Sequence, residues 1–379
     1  MKRFLLAAGL ISLSLATLAA GGQQDSGVIK IGVAGAHSGD LASYGIPSWH
    51  AAQLVVDQVN AAGGIDGRRI ELVVEDDVCD PGIAANTAAK LVGEGVVAVI
   101  GHICSGATKS ALSIYQDSRI VTISPSATAV SFTNGDPNTG DKPYPNFFRT
   151  ISPDDAQAEL QVSFALDTLG LKKIAILHDR QDYGRGLAEF ARAAVQKDGR
   201  AQVVLFEGIT VGAVDYSAII NRVNESGADG VIYGGYHPEA SKLVTQMKNK
   251  GMNIAFISDD GVKDQTFIDV AGSYAEGVYA SGPIDTSTNP LAIQAAEAHR
   301  QKYGEEPGAF FLNAYAATQA LLNAIDKADS TEYEAIMKAL RSEYVETSLG
   351  NISFDEKGDA IGIGFSVYQV QNGEYVQVQ

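Results

Sequence analysis

The sequence predicts an α/β protein made of two doubly wound parallel-sheet lobes. Three observations carry this. Short β-branched runs alternate with amphipathic helical patterns along nearly the whole chain. The alternation breaks once, over Thr133–Asn146, and then restarts. And 379 residues are too many for one ordinary domain.

In the first half, strands are expected at Ile29–Val33, Ile70–Glu75, Val96–Ile100 and Ile120–Ile123. Helices at Ser48–Ala62, Ile83–Glu94 and Thr108–Gln116 separate them. Repetition at this pace means βαβ units. Thr133–Asn146 holds three prolines, Asn134-Gly135 and other turn formers, and reads as an excursion rather than a core element. In the second half, strands are expected at Ile174–Leu177, Val203–Phe206, Gly230–Tyr233 and Ile254–Ile257. The helical patterns there are Ala156–Leu169, Leu187–Lys197, Tyr216–Ser226, Pro238–Lys250 and Asp264–Val270. Three further helices follow at Leu291–Tyr303, Phe311–Lys327 and Thr331–Arg341. Asn351–Phe354 and Gly364–Gln371 close the chain as strands, with a hairpin turn at Asn372-Gly373.

The N-terminus has the layout of a secretory signal peptide, expected over residues 1–22. Lys2 and Arg3 precede an apolar and small-residue stretch, Phe4–Ala20, and cleavage is expected between Ala19 and Gln24. The stretch is short for a transmembrane anchor and rich in Ser and Ala. No cysteine lies near the cleavage region to carry a lipid, and no second long apolar run follows. The formal net charge is −17. So acidic a balance argues against nucleic acid or anionic lipid as a partner. The two cysteines, Cys79 and Cys104, read as a disulfide in an exported chain, the alternative being two buried thiols.

In doubly wound sheets, ligands sit beyond the carboxyl ends of the strands. The residues there differ between the halves. Gly101-His102-Ile103-Cys104-Ser105-Gly106 and Ser124-Pro125-Ser126-Ala127-Thr128 are rich in hydroxyls and backbone N–H groups, and a helix begins just after the first. That chemistry suits a carboxylate; equally, Ser and Thr cap helices and turns in any α/β protein. The second half offers His178-Asp179 with Tyr183, Gly234-Gly235-Tyr236-His237 and Ser258-Asp259-Asp260-Gly261. Aromatic faces plus a carboxylate suit an ammonium group, against the plainer readings of packed tyrosines and an Asp-Gly turn. Together the two sets complement a zwitterion of amino-acid type.

Catalytic patterns are missing. There is no Gly-x-Ser-x-Gly elbow, no His-Glu-x-x-His and no P-loop, and Gly184-Arg185-Gly186 lacks the third glycine of a dinucleotide fingerprint. No cofactor is expected. The six histidines, including His37, His50 and His299, lack metal-ligand spacing, and Asp76, Asp77 and Asp80 lack the pattern of a calcium loop. No metal site is expected from spacing.

Several segments, in order, make the chain resemble the periplasmic leucine/isoleucine/valine-binding proteins of branched-chain amino acid ABC importers. They include Ser38-Gly39 with Tyr44-Gly45, Ala61-Ala62-Gly63-Gly64-Ile65, Cys79-Asp80-Pro81, Gly101-His102-Ile103-Cys104-Ser105, Ser124–Thr128, Tyr183-Gly184, Gly234–Glu239 and Asp355-Glu356-Lys357-Gly358-Asp359. The resemblance implies a type I periplasmic binding fold, a Venus-flytrap with three crossovers between lobes. One lobe would hold residues 27–149 and 284–352, the other 150–283 and 353–379. It implies a Cys79–Cys104 disulfide, carboxylate-binding groups at Ser105, Ser126, Ala127 and Thr128, pocket aromatics at Tyr44, Tyr183, Tyr236 and Phe310, and an ammonium acceptor at Asp260. It also implies a monomer in the periplasm, a small amino acid as ligand and membrane permease subunits as partners. At Asp260 the chain departs from the family, which usually carries a glutamate in a Pro-Glu-Gly turn. Leu312 and Asn313 also stand where an aromatic is common. Related binders with such changes take small, cyclic or non-α amino acids. Two other readings compete: an exported sensor-type binding protein for an amide, urea or non-α amino acid, and an exported hydrolase using Asp260 or His178 as base.

Overall fold

The computed structural model describes residues 27–136 and 140–379; the expected signal peptide lies outside the described residues. The chain first builds β1 Ile29–Gly35, α1 Ala42–Ala61, β2 Ile70–Asp76, α2 Pro81–Gly93, β3 Ala98–Ile100, α3 Ser105–Asp117, β4 Val121–Ser124, α4 Ser131–Asn134 and β5 Phe147–Arg149. It continues with α5 Asp154–Ser163, β6 Lys173–His178, α6 Asp182–Asp198, β7 Gln202–Gly208, α7 Ser217–Ser226, β8 Gly230–Gly234, α8 His237–Asn249, β9 Ala255–Ser258, α9 Gln265–Ala271 and β10 Tyr279–Pro283. The last part is α10 Pro290–Tyr303, α11 Phe311–Ala328, α12 Tyr333–Ser342, β11 Val345–Thr347, β12 Gly350–Phe354, β13 Ala360–Ile361, β14 Phe365–Gln371 and β15 Glu374–Gln377.

Five parallel strands form one sheet in the order β2-β1-β3-β4-β5. A second sheet repeats that order as β7-β6-β8-β9-β10, again parallel, and adds β14 and β15 antiparallel at its edge. Both orders reverse direction once, between β1 and β3 and between β6 and β8. These are the topological switch points, where such sheets open a crevice. The chain passes between the sheets three times: after β5, after β10 and between β13 and β14. The helices α10, α11 and α12 pack back on the first sheet, with Phe311, Leu321, Ile325, Ile336 and Leu340 in one core with Ile31, Ile100 and Ile123. The expected 352/353 boundary falls inside β12, whose Phe354 meets Phe148 edge to face at 5.2 Å in that same core.

Two expectations are corrected. The Thr133–Asn146 excursion is tied to the core near both ends: Thr133 and Asn146 are buried, and Tyr144 packs against the flanking Phe132 and Phe147, whose rings lie 5.1 Å apart. The short helix α4, Ser131–Asn134, leads into the segment. And α1 starts six residues before the expected Ser48, running through Pro47. The proline costs one backbone donor, but Ser48 Oγ donates back to Tyr44 O at 2.8 Å. That contact holds Tyr44 in the first turn, facing the second lobe. Elsewhere the ends follow capping chemistry: Asp80 Oδ1 accepts from Gly82 N and Ile83 N, with Pro81 at the first helical position. The Asn372-Gly373 turn has both residues at positive φ and joins β14 to β15.

Candidate functional site

The loops at the two switch points face each other. From the first sheet come Tyr44, at the start of α1, and Ser105, the first residue of α3. From the second come Tyr183, in the first turn of α6, and Tyr236, just before α8. Ser126 follows β4, Asp260 follows β9, and Phe310 precedes α11 in a left-handed conformation with φ 60°. These seven, with Ile103, Cys104 and Gly261, enclose one space between the lobes. Tyr236 is the hub, its ring 5.2 Å from Tyr183 and 6.1 Å from Tyr44, which lies 5.5 Å from Phe310. The contact of Tyr183 with Tyr236 depends on a close backbone approach. A Cβ on Gly184 would fall 2.3 Å from Gly234 O, so only glycine lets α6 dock against the end of β8 this way.

The disulfide Cys79–Cys104, Cα atoms 5.5 Å apart, fixes the start of α3 to the loop after β2. Closing a loop with a sequence separation of 25 stabilises the fold by roughly 3 kcal/mol in the chain-entropy model. Beneath it, Asp77 Oδ2 meets His102 Nδ1 at 2.5 Å, and His102 Nε2 meets Tyr115 OH at 2.9 Å. All three are fully buried, so Asp77 and His102 serve the frame of the site.

On the carboxylate-friendly side, the groups differ in availability. Ser105 Oγ is buried without a hydrogen-bond partner and borders the space, at the N-terminus of α3. Ser126 Oγ donates to Ile103 O at 2.8 Å. Ala127 N and Ser126 N donate to Ser124 Oγ, at 2.9 and 3.3 Å. Ala127 and Thr128 stand behind the lining: Ala127 packs with Leu112, Phe132 and Phe147, and Thr128 Oγ1 is buried with no formed hydrogen bond.

On the opposite side, Asp260 Oδ1 accepts from Tyr183 OH at 2.6 Å and from Gln157 Nε2 at 2.7 Å. Burial raises its pKa to about 6, against the lowering effect of these two bonds. Three more carboxylates are buried nearby. Burial, with the negative charge of Asp260, pushes Asp259 well up. Burial raises Asp154 to about 8, opposed by the nearby Thr128 hydroxyl and reinforced by Asp260. Burial raises Asp179 to about 7. Both Asp154 carboxylate oxygens lack a hydrogen-bond partner. Of these four carboxylates, Asp260 is the one that lines the space.

Sequence reasoning missed Gln157 and Asp154. Both sit in the first turns of α5, just after the first crossing, and no strand-end rule reaches them. Ile103, Cys104 and Gly261 were quoted as neighbours of site residues but not as lining.

Tyr44 OH donates to Gly261 O at 2.5 Å, and Ser43 Oγ lies 3.4 Å from His237 Nε2. Both contacts join the lobes. The enclosed space between them is about 10 Å³. Such a volume holds about one water at most, so anything larger enters only when the lobes part. On the other side of Asp260 and Phe310, toward the crossings, lies a larger cavity of about 320 Å³. It is bordered by Lys263, Asp285, Leu312, Asn313, Tyr368 and Tyr375, with the Lys263 ammonium 4.2 Å from the Tyr368 ring centre.

Comparison with known proteins agrees with this fold. A family model described as periplasmic binding protein matches residues 28–374. The leucine-, isoleucine-, valine-, threonine-, and alanine-binding protein of Pseudomonas aeruginosa is 37% identical over 341 residues, 90% of this chain and 89% of its own. Among solved structures, a leucine binding protein from Thermotoga maritima superimposes with a TM-score of 0.85 at 26% identity, covering 93% of this chain and 98% of that one. A branched-chain amino acid transporter substrate binding protein from Streptococcus pneumoniae, in complex with isoleucine, gives 0.81 at 28% identity, with 93% and 100% covered.

Proposed function

The chain belongs to the periplasmic binding protein family, and from that premise we propose that it binds a small amino acid between its lobes and delivers it to the permease subunits of an ABC importer. One observation carries this reading: residues from both lobes enclose a single space, with the unpartnered Ser105 hydroxyl at a helix N-terminus on one wall and the buried Asp260 carboxylate on the other. Ser105 and the first turn of α3 take the ligand carboxylate, with the Thr128 hydroxyl, and the Ser126–Ala127 backbone joins once Ser124 Oγ releases its two N–H groups. Asp260 takes the ammonium. Tyr44, Tyr183, Tyr236 and Phe310 hold the side chain. The protein works as an exported periplasmic monomer, with residues 27–149 and 284–361 as one lobe, and carries out no chemistry on its ligand. Among the described residues, no helix is long and apolar enough to cross a membrane.

Closure works by bridging. A ligand that touches both walls favours the closed arrangement only by its differential affinity for it, and the bond from Tyr44 to Gly261 adds to that preference.

The 320 Å³ cavity beside Asp260 favours a second reading of the ligand. Aspartate is a methylene shorter than glutamate, so an ammonium at Asp260 sits nearer that cavity. A longer or non-α amino acid, or a sensor-type ligand such as an amide, fits the same walls. A thermal-shift screen across the standard amino acids, γ-aminobutyrate and simple amides tests both readings. A stabilising α-amino acid supports the importer reading. Stabilisation by neutral amides alone would overturn it.

A pH dependence follows from Asp260. Its folded-state pKa of about 6 lies above the ordinary 3.8, so the ligand-free fold binds the proton more tightly than the unfolded chain does. Its contribution to ligand-free stability is therefore present at low pH and lost as pH rises from about 4 through about 6. An ammonium ligand needs the ionised form. Affinity is expected to rise about tenfold between pH 5 and pH 8, or about 1.4 kcal/mol, measured by calorimetry at fixed ionic strength.

A further inference from the structure

Outside the cleft, the fold brings together residues that no sequence spacing relates. His50 lies in the middle of α1, His299 near the end of α10 and Glu305 just beyond it. His50 Nδ1 and His299 Nε2 are 3.2 Å apart. Ligand atoms of His50, His299 and Glu305 all lie within 4.8 Å of one another.

The geometry points to a divalent-cation site of the zinc class, formed by His50, His299 and Glu305. Two imidazole nitrogens bound to one tetrahedral zinc at about 2.0–2.1 Å are held about 3.4 Å apart, close to the separation seen here. Each ring is already oriented. His299 Nδ1 lies 3.1 Å from Glu305 O; with its proton there, Nε2 turns a lone pair toward His50. A hydrogen bond of this kind behind a ligating ring is the usual support of a metal-bound histidine. His299 also packs on the Phe311 ring at 4.9 Å and is only 1% exposed. His50 stacks flat on Tyr303, ring centres 3.6 Å apart and planes 2° apart. Glu305 is exposed, and its carboxylate completes a three-ligand set with a position left for water or another donor. Nitrogen-dominated sets of this kind prefer Zn²⁺, Ni²⁺ or Cu²⁺ over Mg²⁺ and Ca²⁺.

The position gives the site a consequence. Glu305 opens the segment that leads through Gly308 to Phe310, a wall of the ligand space. Gly308 abuts α1: a Cβ there would come within 2.7 Å of Pro47 Cγ. A cation joining α1, α10 and Glu305 would tie down the segment that presents Phe310, and would hold the first lobe in one shape.

The alternative is a plain His50–His299 hydrogen bond with neutral tautomers. Calorimetric titration of tag-free protein with Zn²⁺ separates the two, with Mg²⁺ as the control for an acidic surface. The expected result is one saturable Zn²⁺ site, a raised Tm, and no such response to Mg²⁺. His50→Gln and Glu305→Gln, both at incompletely buried positions, are each expected to weaken Zn²⁺ binding at least about tenfold while their metal-free Tm stays near that of the parent. A cobalt-substituted sample should show tetrahedral visible absorption that His50→Gln abolishes. Absence of Zn²⁺ binding, or binding unchanged in both variants, would overturn the site.

Discussion

Asp260→Asn is expected to weaken amino-acid binding by about 30-fold or more while leaving the ligand-free fold as stable as the parent. Losing one partner of a buried, hydrogen-bonded charge pair costs about 2–5 kcal/mol, and each 1.4 kcal/mol is about tenfold in Kd. Asparagine keeps an oxygen where Tyr183 OH and Gln157 Nε2 now donate, so the local network survives. It also removes a negative charge from beside Asp259 and Asp154, whose pKa values that charge raises. The ligand-free Tm at pH 8 should therefore hold or rise. Calorimetry and thermal denaturation read the two effects separately. Undiminished affinity with the fold intact would mean that the ammonium sits elsewhere, with Asp154 the next candidate. Asp260→Glu lengthens the carboxylate by one methylene and should shift the ligand ranking toward branched-chain aliphatic amino acids in the same screen.

The α/β alternation could be anticipated because each strand and helix announces itself locally. Alternating β-branched runs and helical periods need only neighbouring residues, whereas the strand order and its switch points depend on which distant strands pair. Ser105, Tyr183 and Tyr236 were found by looking just past the strands, whereas Tyr44 and Phe310 came only from the family resemblance. Other features depended on how elements dock. Gln157 lies 103 positions from Asp260, and only the packing of α5 against the second sheet joins them. His50 and His299 meet because α10 returns to α1. Among the strands that were missed, β5 and β10 belong to the main sheets. Phe147–Arg149 directly follows a turn-rich segment, and Tyr279–Pro283 contains a glycine and a proline, so neither shows a clean period of two. At Ala127 the residue types suggested a free anion-binding N–H. The local turn prevailed, with Ser124 Oγ accepting that donor.

Asp359→Ala is expected to destabilise the protein by about 3–5 kcal/mol, because it strands a buried guanidinium. Arg149 ends the last strand of the first sheet, just before the first crossing, and its side chain is fully buried. Asp359 lies between the last strands before the third crossing. Arg149 Nε donates to Asp359 Oδ1 at 2.5 Å, Nη1 to Ala129 O at 3.0 Å and Nη2 to Thr133 Oγ1 at 2.7 Å. Thr133 Oγ1 in turn donates to Asp359 Oδ2 at 3.1 Å. The loop is shaped for this contact. Asp355 Oδ1 accepts from the N–H groups of Lys357, Gly358 and Asp359, each at 2.9 Å. Gly358, at φ 105°, lets Arg149 N reach Gly358 O at 3.0 Å, and a Cβ there would fall 2.1 Å from Phe147 O. The ion pair therefore ties the first crossing to the approach of the third. Urea denaturation of Asp359→Ala measures the loss. The double variant Arg149→Met/Asp359→Leu decides its origin. If the cost is the uncompensated charge, removing both ions restores part of the stability. If the double variant is as unstable as Asp359→Ala or worse, the cost lies instead in the carbonyl and hydroxyl contacts of Arg149, and the guanidinium acts as a hydrogen-bonding frame for the Ala127–Thr133 segment behind the ligand site.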